Sequence, residues 1–205
     1  MTPQASAAPT TGAARWARQV AVVSLTAALV IAAVSSARAT RDRPPPATTG
    51  GFGEPTCQSC HFEADLDAGP GDLRLEGVPS TYTAGETYTL TVTLVHAGVA
   101  AAGFEIAARF EKSAAQAGSF APQPDDADRV EVTTDADVEY AHHLRPGTLP
   151  VATDTARWRV LWTAPADAGT ILFHAVGNAA DGNDSPLGDF VYSASASSRP
   201  ASLKP

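Results

Sequence analysis

Cys57, Cys60 and His61 are the residues whose types and spacing most directly imply chemistry, in the run Cys57-Gln58-Ser59-Cys60-His61. The chain has two cysteines, and both are here. C-x-x-C-H is the pattern of covalent c-type haem attachment. Two thiols must reach the two vinyl groups of one porphyrin, and a single turn between them sets both sulfurs toward the same macrocycle edge. The following histidine is then held beneath the ring, where its imidazole binds iron. The cofactor expected is one covalent haem c, with Cys57 and Cys60 fixing the ring and His61 as the proximal iron ligand.

Three blander chemistries compete for the pair. A redox dithiol calls for a βαβ context, which nothing downstream supplies. Structural zinc takes four protein ligands, usually from a second Cys or His pair, and only scattered histidines remain. A short disulfide closes too small a loop to stabilise much.

A six-coordinate haem needs a second axial ligand. Met1 is the one methionine and leaves with the expected signal peptide, so a His/Met pair cannot form. The remaining histidines are His96, His142, His143 and His174. Alternation places His96 with Val92 and Leu94, His142 with Val138 and Tyr140, and His174 with Leu172 and Val176, all on apolar faces. His143 points the other way, beside Glu139, and is expected to be solvated. Each is individually more ordinary as a packed or hydrogen-bonded histidine than as a ligand.

The elements that position these residues start at the N-terminus. Arg15 and Arg18, the uncharged run from Gln19 to Val34 and Ala37-Arg38-Ala39 read as a signal peptide over 1–39. The run is shorter than a spanning helix requires, so a cleaved signal is expected, with retention as an anchor left open. The expected location is a bacterial periplasm or cell exterior, the side on which c-type cytochromes are assembled. Losing three arginines and no acid takes the formal charge from −8 to −11. This disfavours nucleic acid and suits a basic redox protein as partner.

Residues 40–55 form a Pro/Gly-rich linker and 56–72 the haem-attachment segment, where Phe62 and Leu66 at helical spacing suggest a turn or two of helix. From Leu73 the texture changes to short alternating strands between turn residues. The expected strands are Leu73–Val78, Thr87–His96, Gly103–Phe110, Arg129–Thr133, Val138–His143, Arg157–Thr163, Ile171–Val176 and Asp189–Ser193, with a loop from Ser113 to Asp128. About eight strands imply an all-β fold, an Ig-like antiparallel β-sandwich over 73–193, followed by a disordered tail over 194–205. Residues 40–72 are too few for the helical shell of a small cytochrome c, so the sandwich must cover one face of the haem.

The run Leu75-x-x-Val78-Pro79-x-x-Tyr82-x-x-Gly85-x-x-Tyr88-x-Leu90-x-Val92, then Gly103-Phe104, Trp162-Thr163-Ala164-Pro165 and Gly177-Asn178-Ala179-Ala180-Asp181-Gly182, resembles a Reelin-type (Reeler) domain. It is most similar to the bacterial choice-of-anchor kind preceded by C-x-x-C-H, over about Gly53 to Ser193. The family has a Thr-His pair before its Trp-bearing strand. Ala141-His142 matches it with Ala for Thr, and the resemblance therefore implies His142 as first choice for the distal iron ligand, His143 following. The chain departs from the family in having no cysteine left for the disulfides of eukaryotic members. Its tail also lacks the apolar run of a C-terminal anchor.

Asp181-Gly182-Asn183-Asp184 with Asp189 matches a calcium loop in composition but lacks the EF-hand glutamate, and Asx-rich runs of this kind are ordinarily turns. No nucleophile–base constellation stands out, so no enzyme activity is expected. The reading that follows is an exported monohaem electron carrier. A five-coordinate haem binding a gas or peroxide is a further possibility. The alternative class is an extracellular adhesion or ligand-binding module whose cysteines form a disulfide or zinc site.

Overall fold

The computed structural model describes residues 41–201. They form two β-sheets packed face to face. One holds four strands in the order β1-β3-β8-β5 and the other six in the order β2-β10-β9-β4-β7-β6. The strands are β1 (Asp72–Glu76), β2 (Thr81–Tyr82), β3 (Thr87–Val95), β4 (Ala101–Phe110), β5 (Ser119–Pro122), β6 (Val130–Asp135), β7 (Val138–His143), β8 (Thr155–Thr163), β9 (Ile171–Ala180) and β10 (Phe190–Pro200). All pairings are antiparallel except β2 with β10. The all-β sandwich expected from the alternation is the architecture found.

Period-two alternation puts one face of each sheet inside. On β3 and β8, Leu90, Val92, Leu94, Trp158, Val160 and Trp162 are fully buried, with Leu90 opposite Val160 and Val92 opposite Trp158. From the other sheet, Phe104 stacks on Trp158 with ring centroids 4.6 Å apart, and Phe173 meets Trp162 edge-on at 4.9 Å. A buried indole must place its N–H. Trp158 donates to the Gly147 carbonyl at 2.7 Å and Trp162 to the Ala117 carbonyl at 2.9 Å.

Several sequence expectations are corrected. The stretch 113–128 contains β5, whose short Ser-Phe-Ala-Pro run has too few alternations to announce itself, and β2 is shorter still. No helix follows His61; residues 61–71 are turns and bends. Residues 194–200 continue β10 and pair with β9 as far as Ser198 opposite Ile171. Their small side chains cost the segment its apolar signature, yet small residues suit the crowded inner face, where Ala194 and Ala196 pack on the core and Ser198 is buried.

No helix among the described residues is long and apolar enough to cross a membrane. The expected signal peptide lies outside the described residues.

Candidate functional site

The inner face of β4 and β9 carries Phe104, Ile106, Ala108, Phe173 and Ala175, so Glu105, Ala107, Arg109, His174, Val176 and Asn178 project from the outer face. Tyr140 and His142 of β7 join them through the register, His142 opposite Glu105. In an ordinary sandwich such a face is wet. Here Glu105, Val176 and His142 are nearly inaccessible, because the segment expected as a linker lies across them.

That segment is fastened at successive points. The Thr48 amide donates to Glu105 Oε1 at 2.9 Å, and its hydroxyl to Oε2 at 3.2 Å. Ala47 packs with Ala107, Val138 and Tyr140. Phe52 meets His174 edge-on at 5.6 Å and lies under the Arg109 guanidinium at 4.7 Å. Glu54 Oε1 accepts from Arg109 Nη1 and from the Tyr140 hydroxyl, each at 2.6 Å, and its Oε2 accepts from Thr49 Oγ1. Pro and Gly exclude regular secondary structure from this stretch, but they do not prevent an irregular chain from satisfying its polar groups on a sheet.

The segment ends in the cysteine motif. Thr56 caps a 3₁₀ turn at Cys57–Ser59 by accepting from the Gln58 amide at 3.2 Å. The Cys60 and His61 amides both donate to the Cys57 carbonyl, at 3.1 and 2.9 Å. One closed turn therefore carries both thiols and the histidine. Both cysteines are half-buried and not bonded to each other. Burial, and then the Glu105 carboxylate, pushes the Cys57 thiol up to about 12.

His61 reaches across to the start of β10. Its Nδ1 lies 2.6 Å from Asp189 Oδ2, and the Asp189 side chain is 1% exposed. Asn178 Nδ2 stands 3.3 Å from the same Nδ1 and 3.4 Å from Asp189 Oδ2. The carboxylate can only accept, so at 2.6 Å the imidazole donates through Nδ1–H, which turns Nε2 away from Asp189. A ligating histidine is typically held this way. Nothing in the sequence marks Asp189 as this partner, 128 positions from His61; the loop before it is instead closed by Asx turns, such as Asn183 N to Asp181 Oδ1 at 3.0 Å. Phe62, Leu66 and Leu187 are exposed, and Glu63 ties their two segments together by accepting from the Gly188 amide.

The other histidines separate by role. His142 is on the outer face, its Nδ1 3.0 Å from the His143 carbonyl and its Nε2 buried without a partner; burial lowers its pKa. His143 is not solvated, as alternation suggests. β7 leaves β4 at this point, and the imidazole fills the vacated edge with Nδ1 3.1 Å from the Phe104 amide and 3.3 Å from its carbonyl. Desolvation lowers its pKa to about 4. His96 stacks on Phe190 at 4.8 Å and bonds the Tyr192 hydroxyl at 2.8 Å, a packed histidine. His174 is occupied by Phe52 and Gly51.

Among the described residues, no group of three or more His, Cys, Asp or Glu side chains is placed to hold a metal ion. Haem iron asks the protein for one or two ligands only. The residues present fit such a group: two free thiols on one turn and, on the same turn, an imidazole oriented by a buried carboxylate.

The chain matches no protein-family model, and no curated protein matches it. Among solved structures it is similar to the Reelin-N domain of F-spondin, at 21% identity over 71% of this chain and 97% of that one, with a TM-score of 0.45. It is similar to the human F-spondin reeler domain at 22% identity, over 64% and 92% of the two chains, with a TM-score of 0.43. A non-cellulosomal cohesin from the hyperthermophilic archaeon Archaeoglobus fulgidus follows at 8% identity, over 64% and 91%, with a TM-score of 0.36. At these scores the likeness carries no argument, and the sandwich rests on the strand pairing described above.

Proposed function

We propose that this chain is a c-type cytochrome-like electron carrier of the Reelin-type kind, holding one covalent haem at the turn of Cys57, Cys60 and His61. The observation that carries the proposal is the single turn bearing Cys57, Cys60 and His61, with His61 Nδ1 held by Asp189 at 2.6 Å. Cys57 and Cys60 would hold the porphyrin through thioether bonds, each formed by addition of S–H across a vinyl group with no oxidant needed. Bound haem supplies a one-electron iron couple. His61 would hold the iron through Nε2, its Nδ1 being engaged by Asp189.

His142 is the distal candidate, supported by its buried, unpartnered Nε2. Bis-His ligation gives a lower potential than His/Met. The partner is a redox protein with a basic surface, attracted by the acidic charge of the exported chain.

The test is expression with a c-type maturation system. A c-type pyridine haemochrome and a mass increased by one haem are expected, together with a low-spin Soret band that ignores carbon monoxide after reduction. A colourless protein of unmodified mass, its two thiols oxidised to each other, sinks the proposal in favour of a binding module. An unchanged low-spin spectrum in His142→Ala removes His142 as the distal ligand.

A further inference from the structure

We infer that Asp189 is the positioning residue of the proximal side: its buried carboxylate fixes His61 in the Nδ1–H form and makes Nε2 a stronger donor to iron. The inference rests on the haem reading above and deepens it.

The geometry selects one arrangement of protons. Asp189 is almost wholly removed from water, so its charge must be met by hydrogen bonds. Apart from His61 it receives Asn178 Nδ2 and the Asp181 amide, each at 3.4 Å. Both are long for hydrogen bonds, which are strongest near 2.9 Å. The 2.6 Å contact to His61 is therefore the one that satisfies the carboxylate. Asn178 cannot reverse its amide without turning Oδ1 toward that same carboxylate, so its orientation follows from Asp189 as well.

A carboxylate withdraws positive character from Nδ1–H far more than a peptide carbonyl does, and raises the basicity of the opposite nitrogen. A more basic axial ligand favours ferric over ferrous iron. The elements involved are also anchored by regular structure on either side. His61 closes the cysteine turn, Asn178 lies within β9 and Asp189 directly precedes β10, so the pair is set before any ligand arrives.

Two measurements test this on the full exported chain. In the unmodified protein, long-range ¹⁵N–¹H correlation spectra at neutral pH should show His61 as the Nδ1–H tautomer; Asp189→Ala should return it to the Nε2–H tautomer common in free histidine. In the haem-loaded protein, Asp189→Asn should leave attachment intact and move the midpoint potential upward. Asp184→Asn removes the same charge at an exposed site bonded to Arg41, and should leave the potential where it was. A wild-type Nε2–H tautomer overturns the inference, as does an Asp189→Asn potential equal to wild type or matched by Asp184→Asn. A chain that takes up no haem overturns the haem reading itself, and the tautomer spectra then still decide whether Asp189 orients His61.

Discussion

Glu105 on β4 and His142 on β7 stand directly opposite each other, both buried on the outer face of the six-stranded sheet. Desolvation lifts the Glu105 carboxyl from 4.5 to about 7, against the opposing hydrogen bonds from Thr48. The folded state thus holds this proton more tightly than the unfolded state. Stability from this group is full below about pH 4.5 and is lost as pH rises to about 7, a change on the order of 3 kcal/mol. Urea unfolding of wild type and Glu105→Gln between pH 4.5 and 8 should show wild type losing ground to the variant as pH rises. Parallel curves refute the buried-carboxyl account.

His143 sets the opposite slope. Its pKa falls from 6.5 to about 4 because burial disfavours the charged imidazolium, against the opposing hydrogen bond to Phe104. Its contribution is present above about pH 6.5 and is lost as pH falls toward 4, again on the order of 3 kcal/mol. His143→Asn keeps a hydrogen-bonding group beside Phe104 but does not titrate. The acid limb of its stability curve should be flatter than that of wild type; an identical limb assigns the acid sensitivity to other groups.

Gly51 has no room for a side chain. A Cβ there would lie 2.5 Å from Cγ of His174 and 2.6 Å from its Cδ2. Gly51→Ala should push residues 47–54 off the sheet at a cost of about 1–3 kcal/mol. Hydrogen exchange should show the Thr48 amide, which donates to Glu105, losing protection while β3 and β8 keep theirs. Retained Thr48 protection would mean that the segment re-seats around the methyl group.

The C-terminal half of β10 separates strand from tail. Ala196 faces the core opposite Phe173, whereas Ser197 is exposed opposite Leu172. Ala196→Asp should destabilise the protein by about 2–4 kcal/mol and Ser197→Asp by less than about 0.5 kcal/mol. Two equally silent variants in a thermal melt would return residues 194–200 to the status of a loose tail.

The alternation of Leu90, Val92 and Leu94, and of Trp158, Val160 and Trp162, was enough to infer a two-sheet core, because a period of two leaves those side chains one place to go. Cys57, Cys60 and His61 were legible for the same reason, since their spacing is a local property of one turn. Asp189 and Asn178 were not, because their tie to His61 depends on which loop comes to rest beside which turn. The placement of residues 45–56 on β4, β7 and β9 was equally hidden. A Pro/Gly-rich run states that it will form neither helix nor strand, and leaves open whether it finds partners. Alternation put His142 and His143 on opposite faces but reversed the expectation for His143, because the register breaks where β7 leaves β4. Local sequence thus determined the strands and the cysteine turn, where each residue answers mainly to its neighbours. Tertiary structure alone decided which buried carboxylate meets His61 and which imidazole nitrogen stays unpaired, since those contacts join positions far apart along the chain.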